Sequence, residues 1–144
     1  MRTRILALDP GGTTGIAQGA GAELYATHEM EQYEALVYVD TAIEGWPDLG
    51  LVVAESFVPR PGIRTWQPAA LEIIGTVRYL CATRGITFEE QTPAAAKSFA
   101  TDAKLRKLGW YTPGMGHAND AARHLLVAQV RHRSFPMEAL DAAR

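Results

Sequence analysis

Two short apolar runs constrain this chain more than any other feature. RILALD fills residues 4–9 and LGLVVAE residues 49–55. The first reads as a buried strand. The second, rich in valine and without polar alternation, reads as a central strand buried on both faces. A sheet built around such strands needs helices on either side. Each run also stops at a carboxylate, Asp9 in one and Glu55 in the other. Asp9 is followed by Pro10-Gly11-Gly12-Thr13-Thr14-Gly15, a turn made almost entirely of small residues.

The remaining elements fit around that pair. Thr14–Gly19 and Glu23–Met30 read as further strands, so the chain opens as an antiparallel meander. Glu31–Glu44 has Tyr33, Leu36, Val37, Val39 and Ile43 near helical spacing, and Gly45-Trp46-Pro47 ends it. The stretch from Phe57 to Gln67 holds two prolines, a glycine and two arginines and reads as a loop. Pro68–Arg84 reads as a helix with Ala69, Leu71, Ile74, Val77, Leu80 and Cys81 on its apolar stripe, stopped by Gly85. Ile86–Gln91 reads as a strand. Thr92 and Pro93 open a short helix, as N-cap and first helical residue. Asp102–Leu108 is another helical segment, and His117–His132 is the last helix. The pattern predicts an α/β domain: a mixed five-stranded sheet with helices on both faces.

With 144 residues, 47% of them hydrophobic, residues 1–144 suit one domain with a sizeable core. A lone cysteine, Cys81, permits no internal disulfide. No apolar stretch approaches the roughly 20 residues of a membrane span, and the polar N-terminus does not read as a signal peptide. A cytoplasmic protein is the expectation. The net charge of −2 is unevenly spread: residues 1–59 carry two basic and nine acidic side chains, residues 60–144 twelve basic and seven acidic. That is no overall basic excess of the kind nucleic-acid-binding domains often show, yet it allows a local phosphate-binding face.

If the two carboxylate-ended strands are parallel neighbours, Asp9 and Glu55 emerge at the same edge of the sheet. The last helix opens G-H-A-N-D, and His117 and Asp120 share a helical face at i, i+3. Oxygen donors with one imidazole and no thiolate cluster suit Mg²⁺ or Mn²⁺ better than a structural zinc. Such a set can hold two cations about 4 Å apart, the arrangement that clamps an in-line phosphodiester displacement. Each residue also has a plainer reading: Asp9 as a turn former, Glu55 as a solvated strand end, His117 or Asn119 as a helix cap. The coincidence of all four favours the metal site.

The series LALDPGGTTGIA, VVAES, QTPAAAKSFATDAKLRKLG and HANDAARHLL resembles RuvC-type Holliday junction resolvases of the RNase H-like superfamily, whose compact versions occur in bacteria and phages. The resemblance spans nearly the whole chain. It implies a crossover junction endonuclease of DNA recombination and repair that works as a homodimer on branched DNA. It places Asp9, Glu55, His117 and Asp120 at the four positions that bind two Mg²⁺ (or Mn²⁺) ions, with His117 where many members have aspartate. It also implies DNA contacts from Phe57, Arg60 and Arg64 after the second acid and from Lys97, Lys104 and Lys107 before the last helix, with Trp66 a further stacking candidate. The chain is shorter than typical bacterial members between Lys104 and His117, and its Pro59–Pro61 loop departs from their pattern. Competing readings are a YqgF-type RNA-processing nuclease, a catalytically silent DNA-binding or assembly module, and an actin-like or sugar-kinase-like ATPase. The ATPase folds need two such domains around a nucleotide cleft.

Overall fold

A computed structural model describes residues 2–57 and 67–142. The strands are β1 (Arg4–Asp9), β2 (Thr13–Ala20), β3 (Glu23–Glu31), β4 (Leu49–Glu55) and β5 (Thr87–Gln91). The helices are α1 (Gln32–Gly45), α2 (Pro68–Arg84), α3 (Pro93–Phe99), α4 (Asp102–Leu108), α5 (Gly116–Arg131) and α6 (Met137–Ala142). One five-stranded sheet has the order β3-β2-β1-β4-β5. The meander β1-β2-β3 is antiparallel, whereas β4 lies parallel to β1 and β5 parallel to β4. The expected mixed sheet is therefore present, with both apolar strands at its centre.

Strand alternation divides the core in two. Ile5, Ala7, Ala17, Leu51 and Val53 face α3, α4 and α5, where Ala121, Ala122 and Leu125 cover them. Leu6, Leu8, Ile16, Val52 and Ala54 face α1 and α2, meeting Val39, Ile73, Val77 and Cys81. Helices thus cover both faces. α1 and α2 run side by side in the same direction. Gln32 donates to Glu72 at their starts, and Arg84 pairs with Glu44 at their ends.

The helical stripes differ from expectation by a rotation. In α2 the buried set is Ala70, Ile73, Ile74, Val77 and Cys81, and Leu71 is 41% exposed. Spacings of three, one, three and four track a 3.6-residue period, so this set makes the continuous stripe. In α1 the inward residues are Ala35, Val39, Ala42 and Ile43, and Tyr33 and Val37 point to solvent. Glu31 belongs to β3 and caps α1, accepting from the backbone amides of Tyr33 and Glu34. Thr92 caps α3 as expected. One element lies beyond the sequence reading: α6 follows buried Phe135, which meets Trp110 edge-on at 6.1 Å. Among the described residues no helix is long and apolar enough to cross a membrane.

Candidate metal centre

Strand register assembles the site. Asp9 pairs with Gly15, and Gly15 with Glu29. Leu8 pairs with Ala54, so Asp9 and Glu55 leave adjacent parallel strands together, and Glu55 pairs with Gln91. A row of Glu29, Gly15, Asp9, Glu55 and Gln91 thus crosses one edge of the sheet, on the side covered by α5.

Gly15 lets the helix close on that row. A Cβ there would stand 1.9 Å from the His117 carbonyl oxygen, so only glycine permits α5 to rest directly on β2. Gly12, by contrast, faces open space. Glu29 then accepts from the backbone amides of His117 and Ala118, at 3.1 and 3.3 Å. It satisfies two of the free amides at the start of α5 and places a negative charge at the positive end of its dipole. Neither His117 nor Asn119 is the cap: the N-cap position is Met115, with no side-chain bond. The Asn119 amide instead pins the preceding loop through Thr112, donating to its carbonyl and accepting from its amide, both at 2.9 Å.

Asp9, Glu55 and Asp120 each offer an oxygen, and these atoms all lie within 4.8 Å of one another. His117 stands beside this trio with its side chain 53% exposed, and Nδ1 is 2.9 Å from Asp9 Oδ2. Asp120 Oδ1 accepts from Arg123 Nε at 3.1 Å. The same guanidinium donates to the Ala100 carbonyl and to Asp102, fastening α5 to the junction of α3 and α4. His124, only 1% exposed, places Nε2 3.7 Å from Glu55 Oε2, an electrostatic separation longer than a hydrogen bond.

These surroundings drive the two central carboxylates apart. Asp9 is pushed up from 3.8 to about 9, first by burial, then by the hydrogen bond and charge of Glu55 and by the charge of Asp120; Lys97 pulls it back. Burial also opposes the ionisation of Glu55, but His124, Asp9 and Lys97 outweigh it and hold Glu55 down at about 2. At neutral pH the pair therefore carries one proton, as two crowded carboxylates do. A divalent cation supplies the positive charge that this proton supplies in its absence, so the donor set fits a hard cation.

The predicted DNA-contact residues fall in different places. Phe57 is half-buried and lies two residues past Glu55, while Arg60, Arg64 and Trp66 lie outside the described residues. Exposed Lys97 on α3 is the predicted lysine whose charge acts on Asp9 and Glu55. Lys104 is turned elsewhere, donating to the Phe99 carbonyl at 2.7 Å with its ammonium 4.3 Å from the Phe99 ring centroid. Lys107 is exposed on α4. Sequence reasoning passed over four residues of the site. Arg123 and His124, at i+3 and i+4 from Asp120, were accessible by helical spacing. Glu29 and Gln91 enter only through sheet register.

Solved structures share this arrangement of elements. T. thermophilus RuvC in complex with Holliday junction substrate matches over 91% of this chain and 95% of its own, with a TM-score of 0.69 at 15% identity. The chain has the RuvC-type, RNase H-like fold. A second Thermus thermophilus RuvC structure matches over 92% and 98% with a TM-score of 0.65 at 14% identity. The fowlpox virus Holliday junction resolvase matches over 90% and 99% with a TM-score of 0.60 at 15% identity. No family model and no curated protein matches the sequence. The likeness to the RuvC-type structures is thus one of fold, and the chemistry rests on the residues at the sheet edge.

Proposed function

We propose that this protein is a Mg²⁺- or Mn²⁺-dependent endonuclease that cuts branched DNA, the four-way junction foremost. The observation that carries the proposal is the convergence of Asp9, Glu55 and Asp120 from two strand ends and a helix, with oxygens within 4.8 Å, in a chain of RuvC-type fold. Asp9, Glu55 and Asp120, with His117 against Asp9, would hold the divalent metal. Bound there, it would supply an activated water nucleophile and neutralise charge on the phosphate. The chain's own part is to hold these oxygens in place: Arg123 fixes Asp120, and the Gly15 and Glu29 contacts fix the start of α5 and with it His117.

Lys97 adds positive charge at the rim, suited to a phosphate approaching the acids. Phe57, Arg60 and Arg64, in the stretch after Glu55, and Lys107 on α4 are assigned to the DNA as well, whereas the Lys104 ammonium is bound to the Phe99 carbonyl. A homodimer would cut two strands symmetrically; the exposed apolar side chains of Tyr33, Val37, Leu71 and Tyr79 on α1 and α2 support that assembly. Its setting would be the cytoplasm of a bacterial or phage-infected cell.

The test is a substrate panel of labelled four-way junction, flap, plain duplex and structured RNA, incubated with Mg²⁺, Mn²⁺ or EDTA. The expected result is metal-dependent cutting of the junction. Cutting of RNA alone transfers the assignment to an RNA-processing nuclease. Junction binding with no cutting under either metal leaves a DNA-binding module and overturns the proposal.

A further inference from the structure

The row at the sheet edge does not stop at Glu55. It continues to Gln91 on β5, which is 3% exposed, and Gln91 meets His124 of α5, with Oε1 2.9 Å from Nδ1. His124 is 1% exposed and one helical turn beyond Asp120, and its other ring nitrogen faces Glu55 at 3.7 Å. An imidazole and an amide buried this deeply cost free energy that apolar side chains of similar volume would not. Their neighbours on α5, Ala121, Ala122, Leu125 and Leu126, are all apolar and fully buried. A polar pair in that setting is explained by what it faces.

Gln91 Nε2 is buried without a hydrogen-bond partner. Turning the amide over has no steric consequence, because its oxygen and nitrogen have nearly the same shape. With the amide turned over, Nε2–H would donate to His124 Nδ1 and the ring proton would sit on Nε2, toward the Glu55 carboxylate.

Resting on the reading of Asp9, Glu55 and Asp120 as a metal centre, we propose that Gln91 and His124 are positioning residues that aim the Glu55 carboxylate at the metal. They act through Glu55 and touch neither metal nor DNA. Residues that orient metal-binding groups from outside the coordination shell typically contribute ten- to hundredfold to metal affinity. Together with Arg123 on Asp120, His124 makes two consecutive α5 residues the support for two ligands from different elements.

The experiment is calorimetric titration of Mn²⁺ into wild type, His124→Leu and His124→Gln, beside junction cleavage against metal concentration. His124→Leu should weaken Mn²⁺ binding by about ten- to hundredfold and raise the metal needed for half-maximal cutting, with the rate recovering at saturating metal. His124→Gln, which keeps a donor toward Glu55, should restore most of the affinity. Equal Mn²⁺ affinity in wild type and His124→Leu, or no rescue by glutamine, overturns the proposal. If His124→Leu fails to fold by circular dichroism, Gln91→Met takes its place, with weakened Mn²⁺ binding expected and unchanged binding overturning the idea. A wild type that binds no Mn²⁺ defeats the metal-centre reading itself, an outcome distinct from equal binding by wild type and variant.

Discussion

Replacing Asp9 by asparagine probes the electrostatics of the centre without any substrate. Asp9 is 9% exposed, and its surroundings raise it from 3.8 to about 9. Between those values the folded chain keeps a proton that the unfolded chain releases, so stability falls as pH rises. Glu55 behaves oppositely: lowered from 4.5 to about 2, its contribution is complete above 4.5 and is lost only on acidification toward about 2. It is therefore silent from about pH 5 to about pH 8. One full proton corresponds to about 1.4 kcal/mol per pH unit, an upper bound of about 4 kcal/mol over that window. Asparagine has the shape of the protonated acid and does not titrate. In EDTA, urea unfolding of both proteins across this window should show Asp9→Asn increasingly the more stable toward high pH, its advantage growing by about 1 kcal/mol per unit. Two parallel stability profiles would refute the argument, because Asp9 would then ionise as freely folded as unfolded.

Other expectations concern the frame and the rim. Gly15→Ala drives a methyl against the His117 carbonyl and should cost about 3 kcal/mol in urea unfolding, shifting α5 off β2. Glu29→Ala strips the amides of His117 and Ala118 of their acceptor and should cost about 1–2 kcal/mol by the same measurement. Lys97→Ala should lower junction affinity and reduce the slope of log affinity against log salt by about 1, whereas Lys104→Ala, whose ammonium is bound to Phe99, should leave that slope unchanged.

The two runs ending in Asp9 and Glu55 announced the centre of the sheet, because unbroken apolar strands need cover on both faces, and the helices that supply it were visible by their spacing. The convergence of Asp9, Glu55 and Asp120 followed from parallel pairing of those runs, a topology that the sequence suggested and the register completed. Helix rotation was less legible. Leu71 is as apolar as Ile73, and only docking on the sheet turns one out and the other in. The glycines of the first turn look alike in the sequence, yet Gly12 faces open space and Gly15 leaves room for the backbone of α5, a long-range contact with no local signature. Glu29 and Gln91 were hidden for the same reason: each reads as an ordinary polar strand residue until β3 and β5 take their places at the two edges.

On the proposal made above, three carboxylates at the sheet edge form the catalytic metal centre of a junction-cutting nuclease. Single-turnover cleavage of a labelled four-way junction in Mg²⁺ by wild type and Asp9→Asn, with junction binding measured in EDTA on the same samples, tests it most directly. Both proteins should bind the junction, and only the wild type should cut it. Cutting by Asp9→Asn at the wild-type rate would contradict the proposal.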